Sequence, residues 1–161
     1  MDVEAAFRMY FPRIREKCRR MLRDPGDAED VAQETFIRLW KANLQGGDAR
    51  RVIAWVYRTS SRLALDRLRR QQAGPERVVD ELLWSVPEDS HPETRAEDRQ
   101  RLLQFAQHLP QDELEMVLLS RMDRLTYAEI AEVSQVSERT VRRTLRRFED
   151  RVEQLRQGLE P

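Results

Sequence analysis

Between Leu125 and Arg147 the chain reads LTYAEIAEVSQVSERTVRRTLRR, a stretch that few folds accept. Thr126 is placed to N-cap a helix. Glu129, three residues on, can reach back to the backbone N–H of the cap, which makes the reciprocal arrangement of a capping box. Tyr127, Ile130, Ala131 and Val133 then supply an apolar face, with small Ala131 where a second helix can cross closely. The break falls at Ser134–Ser137, and Ser137 is a natural N-cap for the next helix. In that helix Val141, Leu145, Phe148 and Val152 recur at helical spacing and are expected to face inward. Arg139, Thr140, Arg142, Arg143, Arg146 and Arg147 are left on the outward face. Their guanidinium forks can pair with phosphates or, bidentately, with guanine. Two short helices about a turn, the second rich in arginine, read as a helix-turn-helix whose second helix suits a DNA major groove. The competing reading, a solvated basic face on an ordinary packing helix, has against it both the paired caps and the arginine cluster. The turn carries Ser134-Gln135 where many such motifs carry a glycine.

The rest of the chain is expected to be all-α. Charged residues make up 36% of its 161 positions, only five are glycine, and β-branched runs are few. The formal net charge of zero hides an uneven spread. Residues 1–75 hold 16 Lys/Arg against 10 Asp/Glu, residues 76–100 hold 3 against 8, and residues 101–161 hold 10 against 11. An acidic break therefore separates two segments that each carry basic faces. Cys18 is the only cysteine, which excludes an internal disulfide and a multi-cysteine zinc site and fits a reducing cytosol. No apolar run approaches the ~20 residues of a membrane span. The start, MDVEAAFRMYF, lacks the charged-then-apolar layout of a secretory signal, so a cytoplasmic protein with no membrane insertion is expected.

Taken in order, Val3, Phe7, Tyr10, Phe11, Ile14, Cys18, Met21 and Leu22 follow steps of three and four, the mark of one amphipathic helix. Pro12 predicts a kink or short break within it. Cys18 lies on the buried stripe and is read as a packed thiol. After the Asp24-Pro25-Gly26 turn, Asp27 is expected to N-cap a second helix, with Glu29 and Asp30 favourable at the positive end of its dipole. Its core face is predicted as Val31, Ala32, Thr35, Leu39 and Trp40. Asp30, Gln33, Glu34 and Ile37 form an exposed stripe of acceptors with one apolar residue, which suits either solvated surface or a partner's face. Asn43 to Gly47 ends the helix.

From Arg50 to Arg70 the residues Val52, Val56, Thr59, Leu63 and Ala64 can pack inward, while Arg51, Trp55, Arg58, Arg62 and Arg69 make a basic stripe with an aromatic in it. Arginine for phosphates and an indole for stacking on an unpaired base is what single-stranded nucleic acid binding requires. A core tryptophan beside solvated arginines is the alternative, and Asp66 and Arg67 could neutralise one another locally. Gln71 to Pro92, rich in Glu and Asp and holding Gly74, Pro75, Pro87 and Pro92, reads as a linker between two compact helical domains. Its apolar patch, Val78, Val79, Leu82, Leu83 and Trp84, is expected to dock on something. Helical pattern resumes at Glu97, with Leu102, Leu103, Ala106 and Leu109 on one face. Pro110 opens another helix whose inward face is Leu114, Val117, Leu118 and Met122, and the last helix is expected to continue to Leu155. The expected organisation is thus residues 1–72, an acidic linker 73–96, and residues 97–161. His91 and His108 stand at no ligand spacing, and no Ser/His/Asp or paired-carboxylate arrangement occurs. No catalytic residue, metal site or cofactor is expected.

Three motifs in this order make the chain resemble a bacterial sigma-70 family sigma factor of the extracytoplasmic-function class over nearly its full length. GDAEDVAQETFIRLWK resembles the family's polymerase-binding helix, VIAWVYRTSSRLALDRLRR its promoter-opening segment, and LPQDELEMVLLSRMDRLTYAEIAEVSQVSERTVRRTLRR its second DNA-binding domain. The resemblance implies two small helical domains, region 2-like and region 4-like. It implies that Asp30, Gln33, Glu34 and Phe36 contact the clamp helices of the largest subunit of core RNA polymerase, with the second domain at the flap. It also implies that Arg51, Trp55, Arg58, Arg62 and Arg69 lie where promoter strands separate, and that Arg139, Thr140, Arg142, Arg143 and Arg146 read the more distant promoter element. The acidic linker would run toward the RNA exit path, with Leu82–Trp84 docked there. An anti-sigma factor is an implied partner. Where many members carry Asn beside an Arg in the promoter-opening helix, this chain has Ser61 and Arg62.

The function so implied is a transcription initiation factor with no enzymatic activity of its own. Two other classes compete. One is a one-component helix-turn-helix regulator whose first half senses or dimerises; the Arg51–Arg69 stripe, which a sensor does not need, weighs against it. The other is a helical adaptor whose basic faces bind acidic proteins, which salt-dependent DNA binding would set apart.

Overall fold

A computed structural model describes residues 1–44, 47–84 and 92–156. Among the described residues the chain forms eight helices and no strand: α1 (Val3–Met21), α2 (Pro25–Ala42), α3 (Ala49–Arg70), α4 (Glu76–Trp84), α5 (Pro92–His108), α6 (Gln111–Arg121), α7 (Tyr127–Ser134) and α8 (Glu138–Arg156). The first three helices pack on one another, and α5 to α8 form a second group in which α8 packs against α5, α6 and α7. One continuous set of buried side chains joins the two groups.

The Asp2 carboxylate caps α1, accepting the Ala5 N–H at 2.7 Å. The helix runs unbroken through Pro12. The proline removes a single backbone donor, and burial of Ala6 on one side of it and Ile14, Cys18 and Met21 on the other outweighs that loss. Burial pushes the Cys18 thiol up to about 12, so at neutral pH it is a protonated packing group and not a nucleophile. Phe7, expected on the inward stripe, is half exposed.

The start of α2 lies three residues before the expected one. Asp24, not Asp27, is the cap and accepts the Gly26 N–H at 2.7 Å, while Pro25 fills the first helical position, where its missing N–H costs nothing. Asp27 is thereby free to bind Arg67 and the Gln71 amide, each at 2.8 Å. Arg67 is therefore not neutralised by neighbouring Asp66, whose partners are Arg69 at 2.6 Å and the Gln111 amide at 2.9 Å. Val31, Ala32, Thr35 and Leu39 face the core as expected. Trp40 does not and is 70% exposed. Phe36 takes the inward place one turn earlier, with its ring centroid 5.4 Å from that of Phe7 and 5.9 Å from that of Phe11. Asn43 closes α2 in the left-handed region.

Within the segment expected to be a linker, α4 is a packed helix. Val78, Val79 and Leu82 are buried against α1 and α5, Arg77 donates to the Leu22 carbonyl at 2.6 Å, and Arg99 of α5 pairs with Asp80. What the apolar patch docks on is thus the chain itself. The side chains of Leu83 and Trp84, and all of His91, lie outside the described residues. The helix α5 begins at Pro92, five residues before the expected start, and its Leu102, Leu103 and Ala106 are buried.

In α6 every residue from Leu114 to Leu119 is buried, not just one face, because the helix lies between α3 on one side and α7 and α8 on the other. The capping box of α7 is formed as the spacing predicts: Glu129 N–H donates to Thr126 Oγ1 at 3.2 Å, and Thr126 N–H to Glu129 Oε1 at 3.0 Å. Ser137 Oγ accepts the Thr140 N–H at 3.1 Å at the head of α8. Gln135 closes α7 with φ of 57°, in the left-handed region where other motifs of this kind place glycine. An L side chain is strained there and glycine is not. Gln135→Gly is therefore expected to stabilise the chain by roughly 0.5–1 kcal/mol, read as a higher urea midpoint at unchanged slope. An unchanged midpoint would show that this turn holds no strain.

Candidate nucleic-acid and protein interfaces

The helix-turn-helix holds α8 with Val141, Leu145, Phe148 and Val152 buried, which turns the opposite face outward. Arg139, Arg142, Arg143 and Arg146 are exposed and Thr140 is partly so. With Arg147 the four arginines line a shallow open groove that continues to Gln154. Arg147 is drawn off to Glu113 of α6. Arg142 lies over the Tyr127 ring at 6.0 Å, a cation–π contact. Among the described residues, no carboxylate pairs with Arg139, Arg143 or Arg146. A face of unpaired guanidinium groups on a helix stabilised from behind is what phosphate and guanine recognition needs.

The second candidate surface is the stripe along α3. Arg51, Arg62 and Arg69 are exposed, Arg58 is partly covered, and Trp55 is partly buried against the core. Trp55 thus packs against the core and is partly accessible. Unlike Arg139, Arg143 and Arg146 of α8, three of these arginines have carboxylate partners. Arg51 pairs with Glu132 of α7, Arg62 lies 3.7 Å from Glu115 of α6, and Arg69 binds Asp66. Sequence reading had no way to find the first two, because their carboxylates lie 81 and 53 positions away along the chain.

On α2, Asp30, Gln33, Ile37 and Trp40 form one exposed stripe, with Glu34 half-exposed and paired with Arg38 at 3.1 Å. Phe36, expected on this contact face, is only 4% exposed and holds α2 to α1. The apolar part of the surface is supplied by Ile37 and Trp40, which edge an open groove continued by Phe7, Phe11 and Leu44. The signal for this exchange is a matter of phase: a helix with Ala32, Phe36 and Leu39 on its core side must turn residues 33, 37 and 40 to the other.

Two acids between the helical groups are perturbed. Lys17 Nζ lies 2.6 Å from Asp123 Oδ2, with both side chains almost fully buried, and it also donates to the Tyr57 carbonyl at 2.9 Å and to Ser60 Oγ at 3.0 Å. Burial raises the Asp123 carboxyl above its usual range, against the pull of Lys17. Burial likewise raises Glu115, opposed by the Gln111 amide and by Arg62 and Arg58. Among the described residues no cluster of His, Cys, Asp and Glu could hold a metal ion, and no helix is long and apolar enough to cross a membrane.

Comparison with known proteins bears on both halves. Residues 6–74 match sigma-70 region 2, and residues 99–148 match sigma-70, region 4. The chain is 30% identical to the ECF RNA polymerase sigma factor SigW of Bacillus subtilis, over 86% of this chain and 80% of that protein. It is 28% identical to the RNA polymerase sigma factor CarQ of Myxococcus xanthus, over 98% and 90%. It is 24% identical to SigM of Bacillus subtilis, over 96% and 95%.

A pH test follows from Glu115. Its folded-state pKa is raised, so its contribution to stability is fully present below the unfolded value near ~4.3 and is lost as pH rises through the folded value. Glu115→Gln keeps an acceptor for Gln111 and removes the buried charge. It is expected to raise the melting temperature at pH 7 and to leave it nearly unchanged at pH 4. A difference of the same size at both pH values would show that the burial of charge is not what matters.

Proposed function

The chain belongs to the extracytoplasmic-function RNA polymerase sigma factors of the sigma-70 family, and from that premise we propose how its surfaces share the work. As a promoter-recognition sigma factor it binds core RNA polymerase and directs it to promoter DNA. It is an initiation factor and not an enzyme, acting in the cytoplasm beside the polymerase. The match of residues 6–74 to region 2 disfavours a sensing or dimerising first half, and with it the one-component regulator.

In this reading α8 reads the upstream promoter element through Arg139, Thr140, Arg142, Arg143 and Arg146. The observation that carries it is the face of arginines without acidic partners on a helix whose other side is fully buried. Arg51, Trp55, Arg58, Arg62 and Arg69 on α3 receive the strands where they separate. The exposed stripe of α2, Asp30, Gln33 and Glu34 with Ile37 and Trp40 in place of Phe36, meets the clamp helices of the largest subunit, and the second domain meets the flap. The acidic linker, residues 73–96, is assigned the course toward the RNA exit path. If Leu82–Trp84 docks there, α4 must first leave its seat on α1 and α5. An anti-sigma factor would have to cover these same faces.

Asp30 and Gln33 are solvent-facing, so replacing both with alanine should change stability by less than ~1 kcal/mol. The double variant is expected to fold as the parent does and to lose co-elution with core polymerase on a sizing column. Unchanged co-elution would remove α2 from the polymerase interface. Arg142→Ala should cost about 1–3 kcal/mol at a single promoter position, measured by binding to a set of single-base-pair variants. A uniform loss across that set would reassign Arg142 to a phosphate.

A further inference from the structure

Three aromatic rings belong to the second helical group. Phe105 and Phe148 stack on one another with centroids 5.8 Å apart, whereas Tyr127 stands 37% exposed at the first position of α7. Ile130 and Ala131, expected on the same inward face as Tyr127, are buried. Core packing therefore does not account for an aromatic ring at position 127. What lies over that ring is Arg142 of α8, with Cζ 6.0 Å from the centroid.

This contact sets Arg142 apart on its own face. Arg147 gives a donor to Glu113. Arg139, Arg143 and Arg146 have neither a carboxylate nor a ring against them among the described residues. The acids placed to compete for Arg142 do not take it. Glu129 Oε1 is held by the Thr126 N–H in the capping box, and Glu138, one turn earlier on α8, forms no ion pair with Arg142. The kind of restraint matters for reading a base. A carboxylate restrains a guanidinium by accepting its N–H groups, whereas a ring does so through its quadrupole and leaves the five donors free. Arg142 is thus restrained without losing the paired donors that guanine O6 and N7 require, and less side-chain freedom is left to be lost when DNA binds.

We propose that Tyr127 is a positioning residue of the recognition helix: its ring holds the Arg142 guanidinium so that this arginine discriminates a base pair more sharply than the unrestrained arginines beside it. The proposal rests on the assignment of α8 to promoter DNA. Tyr127 acts through Arg142 and need touch no base itself.

The test uses holoenzyme assembled from the full-length chain and core polymerase. The probes are a duplex selected by the parent from a pool randomised in its upstream segment, and every single-base-pair variant of that duplex. Arg142→Ala should abolish a preference of about fivefold to a hundredfold at one position. Tyr127→Leu, which keeps an apolar side chain but no ring, should lower the preference at that same position by about two- to fivefold, with the other positions and the salt dependence unchanged. Tyr127→Phe should behave as the parent. Tyr127→Leu combined with Arg142→Ala should be no worse than Arg142→Ala alone.

Unchanged preference in Tyr127→Leu overturns the positioning role. So does an equal loss on every duplex, which makes Tyr127 a support of the fold or a phosphate contact. A Tyr127→Phe chain as impaired as Tyr127→Leu assigns the effect to the hydroxyl and overturns the ring's part. A double variant weaker than Arg142→Ala shows that Tyr127 meets DNA directly. If Arg142→Ala itself weakens every duplex alike, the assignment of Arg142 to a base fails and the proposal with it; if it is selective while Tyr127→Leu is silent, only the positioning role falls.

Discussion

The helix α3 is used from both sides, and the rest of the structure depends on that constraint. Val52, Val56, Ala64 and Leu68 complete the core of the first three helices. The same helix then supports α6 and α7, with the Lys17–Asp123 pair buried at the junction. A salt bridge out of contact with water is not a cheap source of stability, since its desolvation roughly offsets its attraction. What it supplies is specificity: removing either partner would leave the other charge buried and unpaired.

The distribution of charge follows the same logic. The chain is neutral overall, yet its arginines fall into two sets. Those on α3 and at the domain boundary meet carboxylates from elsewhere in the fold, as Arg67 meets Asp27 and Arg51 meets Glu132. Among the described residues Arg139, Arg143 and Arg146 on α8 do not, because helical phase puts them opposite a continuous buried stripe. The Arg51–Glu132 and Arg69–Asp66 pairs are exposed or partly exposed, where each is worth at most ~1 kcal/mol and is screened by salt.

Much of this was legible from the residues. The helix-turn-helix could be read to the individual hydrogen bond, since capping chemistry is local: Thr126, Glu129 and Ser137 do in the fold what their spacing predicts. Errors arose where two local signals competed. Asp24 and Asp27 are both plausible caps, and Pro25 decides between them by taking the first helical position. Phe36 and Trp40 are both plausible core residues, and the Phe7 and Phe11 rings of α1 decide for Phe36. The acids, glycine and prolines of Gln71 to Pro92 suggested a spacer, but Val78, Val79 and Leu82 within it find a seat on α1 and α5, and their burial outweighs the polar residues between them.

The sequence by itself determined the all-α class, the start of the recognition motif and the arginine face of α8. These depend on periodicity and capping, whose partners lie within four residues of one another. Only the tertiary structure decided that α6 is buried all round, that Phe36 and Trp40 exchange places, and that Lys17 faces Asp123 from 106 positions away. Such contacts are set by which helices come to lie side by side, and a buried pair so distant in the chain leaves no periodic trace in either helix that supplies it.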